Sequence, residues 1–329
     1  MKPNIAIIGA GLAGLTLARE LNEHADITLF EKARGLGGRM STRRRGEHRW
    51  DHGAQFFTAR SHTFKALLKP YIESSVVVEW QPNITTLSPE QPPYKRPWFE
   101  PHYVATPGMN SLLKTMSTGL NITLQTRVEK LRQEAGKWQL FDDKSEPLGE
   151  FDWVISSAPL PQTEVLLPFK PADWAGFGMQ PCYALMLKVE DGELPVWDAA
   201  RVNDSPLGWI AFNHRLPGRN RNFGTVVAHS TSSWAETHLE DDQDSVREQL
   251  TAEFCMLTGV KATSVLEAHL HRWRYALATE VEGEPVGYVL DAKRKLAACG
   301  DWCLGGQVES AFTSAHQLAA RLRADACNA

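Results

Sequence analysis

Asn4-Ile5-Ala6-Ile7-Ile8-Gly9-Ala10-Gly11-Leu12-Ala13-Gly14 is the stretch whose reading decides the fold. A short apolar run rich in β-branched residues leads into a Gly-x-Gly-x-x-Gly turn. Leu12, Leu15, Ala18 and Leu21 then recur at three-residue intervals, the spacing of one helix face. Strand, glycine turn and helix together predict a Rossmann-type βαβ unit. Gly9 permits the tight turn, Gly11 lets backbone approach a pyrophosphate, and Gly14 lets helix and sheet pack closely. The first helical residues, with Ala10, Leu12 and Ala13 beside the glycines, offer N–H groups to the anion. Glu31 closes the next apolar run, Asp26-Ile27-Thr28-Leu29-Phe30, where a carboxylate accepts from ribose hydroxyls.

That turn alone serves an NAD dehydrogenase equally well. A second signal follows one strand later, Gly35-Leu36-Gly37-Gly38-Arg39-Met40, whose adjacent glycines expose backbone donors and whose arginine offers a planar fork to a phosphate or a flavin edge. Two such signals in tandem point to FAD, although an ordinary surface loop would show the second one too. Near the end of the sequence, Lys295-Leu296-Ala297-Ala298-Cys299 reads as a buried strand leading to Gly300-Asp301. Val308, Ala311, Ala315, Leu318 and Leu322 mark one face of a following helix. Asp301 is expected to accept from the flavin's ribityl hydroxyls, or to cap a helix. The helix start at Gln307, Val308, Glu309 and Ser310 would turn its positive dipole end toward the flavin's pyrimidine ring.

The order GAGLAG, LFEK, GLGGRMSTR, RWDHGAQFFT, ATPGM, TRVEKL, DWVISSAP and CGDWCLGGQVESAF resembles flavin amine oxidases, and most closely the renalase family with its bacterial members. The resemblance spans the chain but is anchored in the cofactor segments. It implies an α/β, two-domain flavoprotein of the p-hydroxybenzoate hydroxylase type, a Rossmann-type FAD domain with a mixed-sheet substrate domain. Carried over by residue, it implies that Gly9, Gly11, Gly14, Glu31, Gly38, Arg39, Val128, Gly300 and Asp301 hold FAD, with Lys32 and Met40 flanking two of these motifs. Val128 would give its backbone to the adenine. Ala54, Gln55 and Phe56 would lie by the isoalloxazine ring. No Cys or His stands in a recognisable tether position, so FAD is expected to be held non-covalently.

The flavin motifs place the FAD domain at 1–75, 105–161 and 295–329, and the substrate domain at 76–104 and 162–294. Val76-Val77-Val78-Glu79-Trp80, Tyr183 to Val189 and Thr225 to His229 read as strands, and Asp244 to Leu257 as a helix. Within 329 residues, 43% hydrophobic content and 22% charge fit a globular protein, and a net charge of -4 argues against a nucleic-acid partner. Arg43-Arg44-Arg45 reads as a solvated loop, or as a local attraction for an anionic ligand. The five cysteines form no CxxC, which argues against a disulfide framework and for a reducing cytoplasm. His48 and His52 have helical spacing and His269 and His271 would share a strand face, yet neither pair has a third ligand nearby, so no metal site is expected. The apolar stretch from Ile5 to Leu17 imitates a signal peptide but contains the phosphate turn, so it is expected to be retained. No apolar run reaches the roughly 18 residues of a membrane span.

Nothing after residue 40 repeats the strand, glycine turn and helix pattern, so a nicotinamide would reach the flavin as a substrate in the cleft between the domains. The resemblance implies that reaction: oxidation of 2- or 6-dihydro-NAD(P) to NAD(P)+, with electrons passing to O2 and giving hydrogen peroxide. No catalytic side chain is needed, because loss of hydride makes the ring aromatic. Phe57, Thr58, Arg96, Tyr183, Trp209, His214, Trp234 and Tyr275 are the expected substrate residues. A flavin amine oxidase for a small amine and a non-catalytic FAD-binding protein are the alternatives.

Overall fold

The N-terminal apolar run forms strand β1 (Asn4–Ile8), and its β-branched side chains are buried because both faces of the sheet are covered. The computed structural model describes residues 2–95, 97, 99–168, 177–190, 192–279 and 287–327. β1 runs parallel to β2 (Asp26–Phe30) on one side and to β13 (Trp153–Ser156) on the other. Outside these lie β9 (Ile122–Thr123), β20 (Leu296–Ala298) and an antiparallel edge strand, β19 (Val289–Asp291), in the order β19-β20-β13-β1-β2-β9. The chain leaves β1 for β2 and later returns on the opposite flank at β13. The order therefore reverses beside β1, which makes the carboxyl edge there the binding edge of a doubly wound sheet.

Helices α1 (Leu12–Leu21) and α7 (Val308–Cys327) pack on each other. An antiparallel meander, β10 (Val128–Glu134), β11 (Lys137–Asp142) and β12 (Pro147–Phe151), contributes Trp138, Leu140 and Phe151 to a core shared with Ala6, Ile8, Val154 and Leu296. These elements belong to a unit made of Met1–Arg39, Leu113–Met179 and Leu277–Ala329.

The second unit is Met40–Leu112 and Gln180–Ala276. It begins with a hairpin, β3 (Arg43–Arg45) and β4 (His48–Trp50), followed by α2 (His62–Glu73) and the antiparallel pair β5 (Val77–Trp80) and β8 (His102–Ala105). Its main sheet has the order β18-β14-β17-β16-β15-β6-β7, formed by β6 (Ile84–Ser88), β7 (Gln91–Lys95), β14 (Met179–Val189), β15 (Ala199–Val202), β16 (Leu207–Phe212), β17 (Gly224–Ser230) and β18 (Val265–Ala278). Alternation along the strands sends Tyr183, Leu185, Leu187, Val226, Ala228, Ile210 and Phe212 into one core with Val246, Leu250 and Phe254 of α6 (Gln243–Thr258). Asp242 caps α6 by accepting from the N–H groups of Asp244 and Ser245, and Gly259 ends it at φ +73°. Short helices α3 (Ser111–Met116), α4 (Leu160–Leu166) and α5 (Ser232–Thr237) complete the framework.

Three sequence expectations change here. Arg43–Arg45 is a strand turned back at Gly46 (φ +53°), not a loop, and Arg43 lies half-buried beside His271. His48 sits in β4, so its spacing from His52 has no helical meaning. Residues 40–75, expected with the FAD domain, group with the second unit. The reason is Trp50, fully buried against Met186 and Val227, whose Nε1 donates to the Leu187 carbonyl at 2.9 Å.

Asp51 follows Trp50 and is completely buried. It accepts from Arg219 Nε at 3.0 Å and Nη2 at 2.5 Å, from Thr42 Oγ1 at 2.6 Å and from the Met109 N–H at 2.9 Å, so its charge is paired and its lone pairs are used. Arg219 in turn donates to the carbonyls of Ala105 and Pro217. Asp51→Ala leaves a buried, unpaired guanidinium, and chemical denaturation should show a loss of about 3–5 kcal/mol.

Candidate functional site

Four strand ends meet along the carboxyl edge of the parallel sheet. Gly9 follows β1 at φ +104°, and a Cβ on Gly14 would stand 2.0 Å from the Gly9 carbonyl oxygen and 2.7 Å from Ser157 Oγ. Only glycine permits that approach of α1 to the turn. A Cβ on Gly11 would meet nothing within 4 Å, so open space lies in front of the first turn of α1, whose N-cap supplies no side-chain bond. The second glycine signal folds over the first: Gly37 N donates to the Ala10 carbonyl at 3.3 Å, and a Cβ on Gly38 would lie 3.8 Å from Gly11 Cα.

Glu31 ends β2 with only 7% of its surface exposed. Its two carboxylate oxygens accept from Ala10 N at 3.0 Å and Ala33 N at 2.8 Å, which fixes the side chain while leaving further lone pairs for hydroxyl donors. Residues 123–126 run beside it, with Thr126 N bonded to the Glu31 carbonyl and Gln125 N to the Ala33 carbonyl, and this leads the chain to buried Val128. Lys32 points outward and bonds Gln162 at 3.1 Å.

After β20, Asp301 is 4% exposed and paired with Arg39 through both oxygens, Nη1 to Oδ2 at 2.6 Å and Nη2 to Oδ1. Planar guanidinium and carboxylate hold each other rigidly in this geometry. The Asp301 carbonyl accepts from Leu304 N and Gly306 N, and Gly305 and Gly306, both with positive φ, bring the chain to the start of α7 at Gln307 and Val308. Gly300 N donates to the buried Ser314 Oγ at 2.9 Å. Ser310 Oγ bonds the Leu304 carbonyl, and Glu309 lies in the first turn of α7.

These features fit FAD: open space at an uncapped helix start for pyrophosphate, a fixed buried carboxylate for ribose, and a braced acid and arginine beside a second helix start. Ser157 is a wall of this cradle that motif reading did not assign. Its Oγ lies 3.0 Å from the carbonyls of Ile8 and Gly9, and the small-residue stretch Ser156-Ser157-Ala158 at the end of β13 was its signal.

The family profile of the flavin containing amine oxidoreductases matches residues 98–323, and that of the NAD(P)-binding Rossmann-like domain matches residues 7–71. The chain belongs to the flavin containing amine oxidoreductase family. A candidate protoporphyrinogen oxidase from Exiguobacterium sp. 255-15 superposes with a TM-score of 0.81 over 99% of each chain at 12% identity. Putrescine oxidase bound to putrescine superposes with a TM-score of 0.76 over 98% of this chain and 99% of its own, at 13% identity. Those likenesses establish the fold, an α/β architecture with a sheet-based second domain, and the family profiles make it a flavoprotein with a Rossmann-type domain. As a member of the flavin amine oxidoreductases the protein is an oxidoreductase, and its cofactor is non-covalent FAD. Burial pushes the thiols of Cys182 and Cys299 up to about 12 and raises that of Cys303, so none is an activated nucleophile. No helix among the described residues is long and apolar enough to cross a membrane.

In the second unit, the sheet face opposite α6 carries rings. Trp209 Nε1 donates to Gln55 Oε1 at 2.5 Å, and Phe56 lies within 4.5–6.0 Å, ring centre to ring centre, of His102, Trp209 and Trp80. His52 sits 4.9 Å from the ring of His271 and 5.1 Å from that of Trp273, with Tyr275 one two-residue step further along β18. Burial, helped by the neighbouring His271, Arg43 and His229, pushes the His52 imidazole down to about 3. Burial and then Arg43 bring His271 down to about 4, and burial also lowers His229. All three rings are neutral at pH 7.

Of the expected substrate residues, Trp209 and Tyr275 stand on this face, Thr58 is half-buried nearby in sequence, and others do not reach it. Phe57 is core, 3% exposed, bridged by backbone to Tyr103. Tyr183 is fully buried on the α6 side, bonded to the His238 carbonyl at 2.8 Å, and Trp234 packs on that same side against it. Strand parity, which composition cannot reveal, turned Tyr183 away, and Trp234 lies on helix α5 beside it. His214 is buried with Nδ1 against the Thr225 carbonyl. Met40 is buried at the start of the second unit. Arg96 lies outside the described residues.

Gly11→Ala should leave the melting temperature of FAD-free protein unchanged and cut FAD uptake, whereas Gly14→Ala should destabilise the FAD-free protein itself by about 1–3 kcal/mol through overpacking. Flavin absorbance per chain after gel filtration and thermal denaturation separate the two. A second expectation concerns pH. His52 and His271 have folded pKa values below their unfolded 6.5, so the unfolded chain takes up protons first on acidification. Stability is then fully present above pH 6.5 and falls as pH drops toward 4 and 3. Urea midpoints measured across that range should decline, and His52→Phe should flatten the decline.

Proposed function

We propose that this flavoenzyme is an oxidase of isomeric dihydro-nicotinamides, taking hydride from 2- or 6-dihydro-NAD(P) and returning NAD(P)+. Bound FAD supplies the hydride acceptor and passes the electron pair to O2, so that hydrogen peroxide is the second product. The observation that carries the reading is the character of the ring-bearing face in the second unit. Its imidazoles at His52, His271 and His229 are held neutral, its cations include Arg43, Lys188 and Arg201, and Asp51, Glu267 and Glu100 are each engaged in ion pairs. Among the described residues, such a surface offers an ammonium ion no carboxylate that is not already ion-paired, and its histidines are not charged. A dihydropyridine requires neither a free carboxylate nor a charged histidine, since its hydride leaves with both electrons and the ring becomes an aromatic pyridinium.

The side chains then bind and orient. Trp209, Trp273 and Tyr275 offer flat walls for a planar ring, and half-buried neutral surroundings exclude water from it. The arginines of the β3–β4 hairpin, with exposed Arg44, Arg45 and Arg49, supply charge for the phosphates of a dinucleotide. Ala54, Gln55 and Phe56 are assigned to the flavin ring, and the Arg39 and Asp301 pair with the start of α7 to its ribityl and pyrimidine groups. The cytoplasm is the proposed compartment, in keeping with Cys182, Cys255, Cys299 and Cys303 being free thiols.

A second reading, oxidation of a small amine, is favoured by the family match and by aromatic faces able to receive an uncharged amine. Anaerobic mixing of oxidised holoenzyme with 2- and 6-dihydro-NAD, with ordinary 4-dihydro-NAD and with a panel of amines decides between them. Rapid bleaching of the flavin by the isomers, with β-NAD+ formed in equal amount, is the expected result. Bleaching by an amine alone overturns it in favour of the second reading, and an intact flavin that no donor bleaches points to a non-catalytic FAD protein.

A further inference from the structure

We propose that His229, Trp273 and Trp209 are positioning residues, a three-point clamp by which the second unit's sheet sets the course of His52 to Phe56. The proposal rests on the assignment of Ala54, Gln55 and Phe56 to the flavin ring. Its geometry is local and direct. The His52 carbonyl receives two side-chain donors from different strands, His229 Nε2 of β17 at 3.1 Å and Trp273 Nε1 of β18 at 3.0 Å. A carbonyl oxygen has two lone pairs, so this one is saturated. Three residues later Trp209 Nε1 of β16 donates to Gln55 Oε1 at 2.5 Å.

The donors come from three of the strands of one sheet and act on a four-residue stretch. Two fix its start and the third fixes the side chain next to Phe56. A loop held only by packing slides, because apolar contact is non-directional. Directed N–H donors on a rigid sheet remove that freedom, as the support of a functional group on regular elements requires. His229 is suited to the task in being half-buried and neutral: with Nε2 carrying the proton toward the carbonyl, the ring donates without placing a charge beside His52. The buried Gln55 Nε2 has no acceptor among the described residues, so its oxygen is the end they hold.

The test compares His229→Leu, which removes the donor, with His229→Gln, which keeps an N–H, and adds Trp273→Phe and Trp209→Phe, which keep a ring and lose the N–H. The readouts are the absorbance spectrum and midpoint potential of bound FAD, both obtained by chemical reduction without substrate, and kcat against KM for whichever donor reduces the enzyme. The donor-removing variants should shift the flavin spectrum and potential and lower kcat by about ten- to a hundredfold, as expected for slight misplacement of a reacting geometry, with KM little changed in His229→Leu, whose ring is not a substrate wall. His229→Gln should restore both. If the variants lose thermal stability while spectrum, potential and kcat stay within twofold of the parent, the clamp is merely structural and the proposal falls. If His229→Leu does not fold, the two tryptophan variants decide by the same readouts. Spectrum and potential need no donor, so a failure of dihydro-nicotinamides as substrates leaves this outcome readable.

Discussion

The structure depends on one close approach. The Gly9 carbonyl oxygen occupies the space a side chain at Gly14 would need, and Ser157 Oγ fills what remains. Because no Cβ intervenes, the first turn of α1 starts immediately at the carboxyl edge of β1, with its free N–H groups gathered where strands β2, β13 and β20 also end. The acid and glycine groups of the first unit assigned to the cofactor follow from that edge. Glu31 is delivered by the end of β2, Ser157 by the end of β13, and Asp301 by the end of β20, so separate stretches of chain converge without any of them needing a long loop.

Fixing the groups at that edge is as important as gathering them. Glu31 spends one hydrogen bond from each oxygen on its own backbone neighbours, and Asp301 spends both oxygens on Arg39. The side chains are therefore placed before any ligand arrives, which lowers the entropy lost on binding. The second unit uses the same device in another form. Buried Asp51, braced by Arg219, Thr42 and Met109, anchors the chain immediately before the stretch that carries His52, Gln55 and Phe56.

Much of the first unit was legible in the sequence because its signals are local. Strand limits at Asn4–Ile8 and Asp26–Phe30, the glycine roles and the C-terminal helix all follow from spacing within a few tens of residues. The pairing of Arg39 with Asp301 was not legible, since the two lie far apart in sequence and each reads alone as a free ligand for the cofactor. In the second unit the difficulty was parity. Trp209 and Tyr183 look alike as aromatic residues in apolar runs, yet one faces the ring-bearing side and the other the α6 core, and a one-residue step in register decides which. Residues 40–75 group with the second unit for a related reason: the sequence holds no mark that Trp50 would bury itself against Met186 and Val227.

The neutrality of the ring-bearing face bears directly on what chemistry it tolerates. Hydride departure from a neutral dihydropyridine turns the donor into a cation, so a positive charge appears on the substrate as the step proceeds. An imidazolium at His52 or His271 would oppose that change, and in half-buried surroundings the repulsion would be far stronger than in water. Burial prevents it by holding both rings uncharged, and leaves Arg43 as the cation nearest them, against His271. A dinucleotide brings its own phosphates to offset an arginine, whereas a small amine brings nothing negative. Charge balance on this face thus favours a substrate whose reacting ring is neutral and whose remaining parts are anionic, and the proposed dihydro-nicotinamide has both properties.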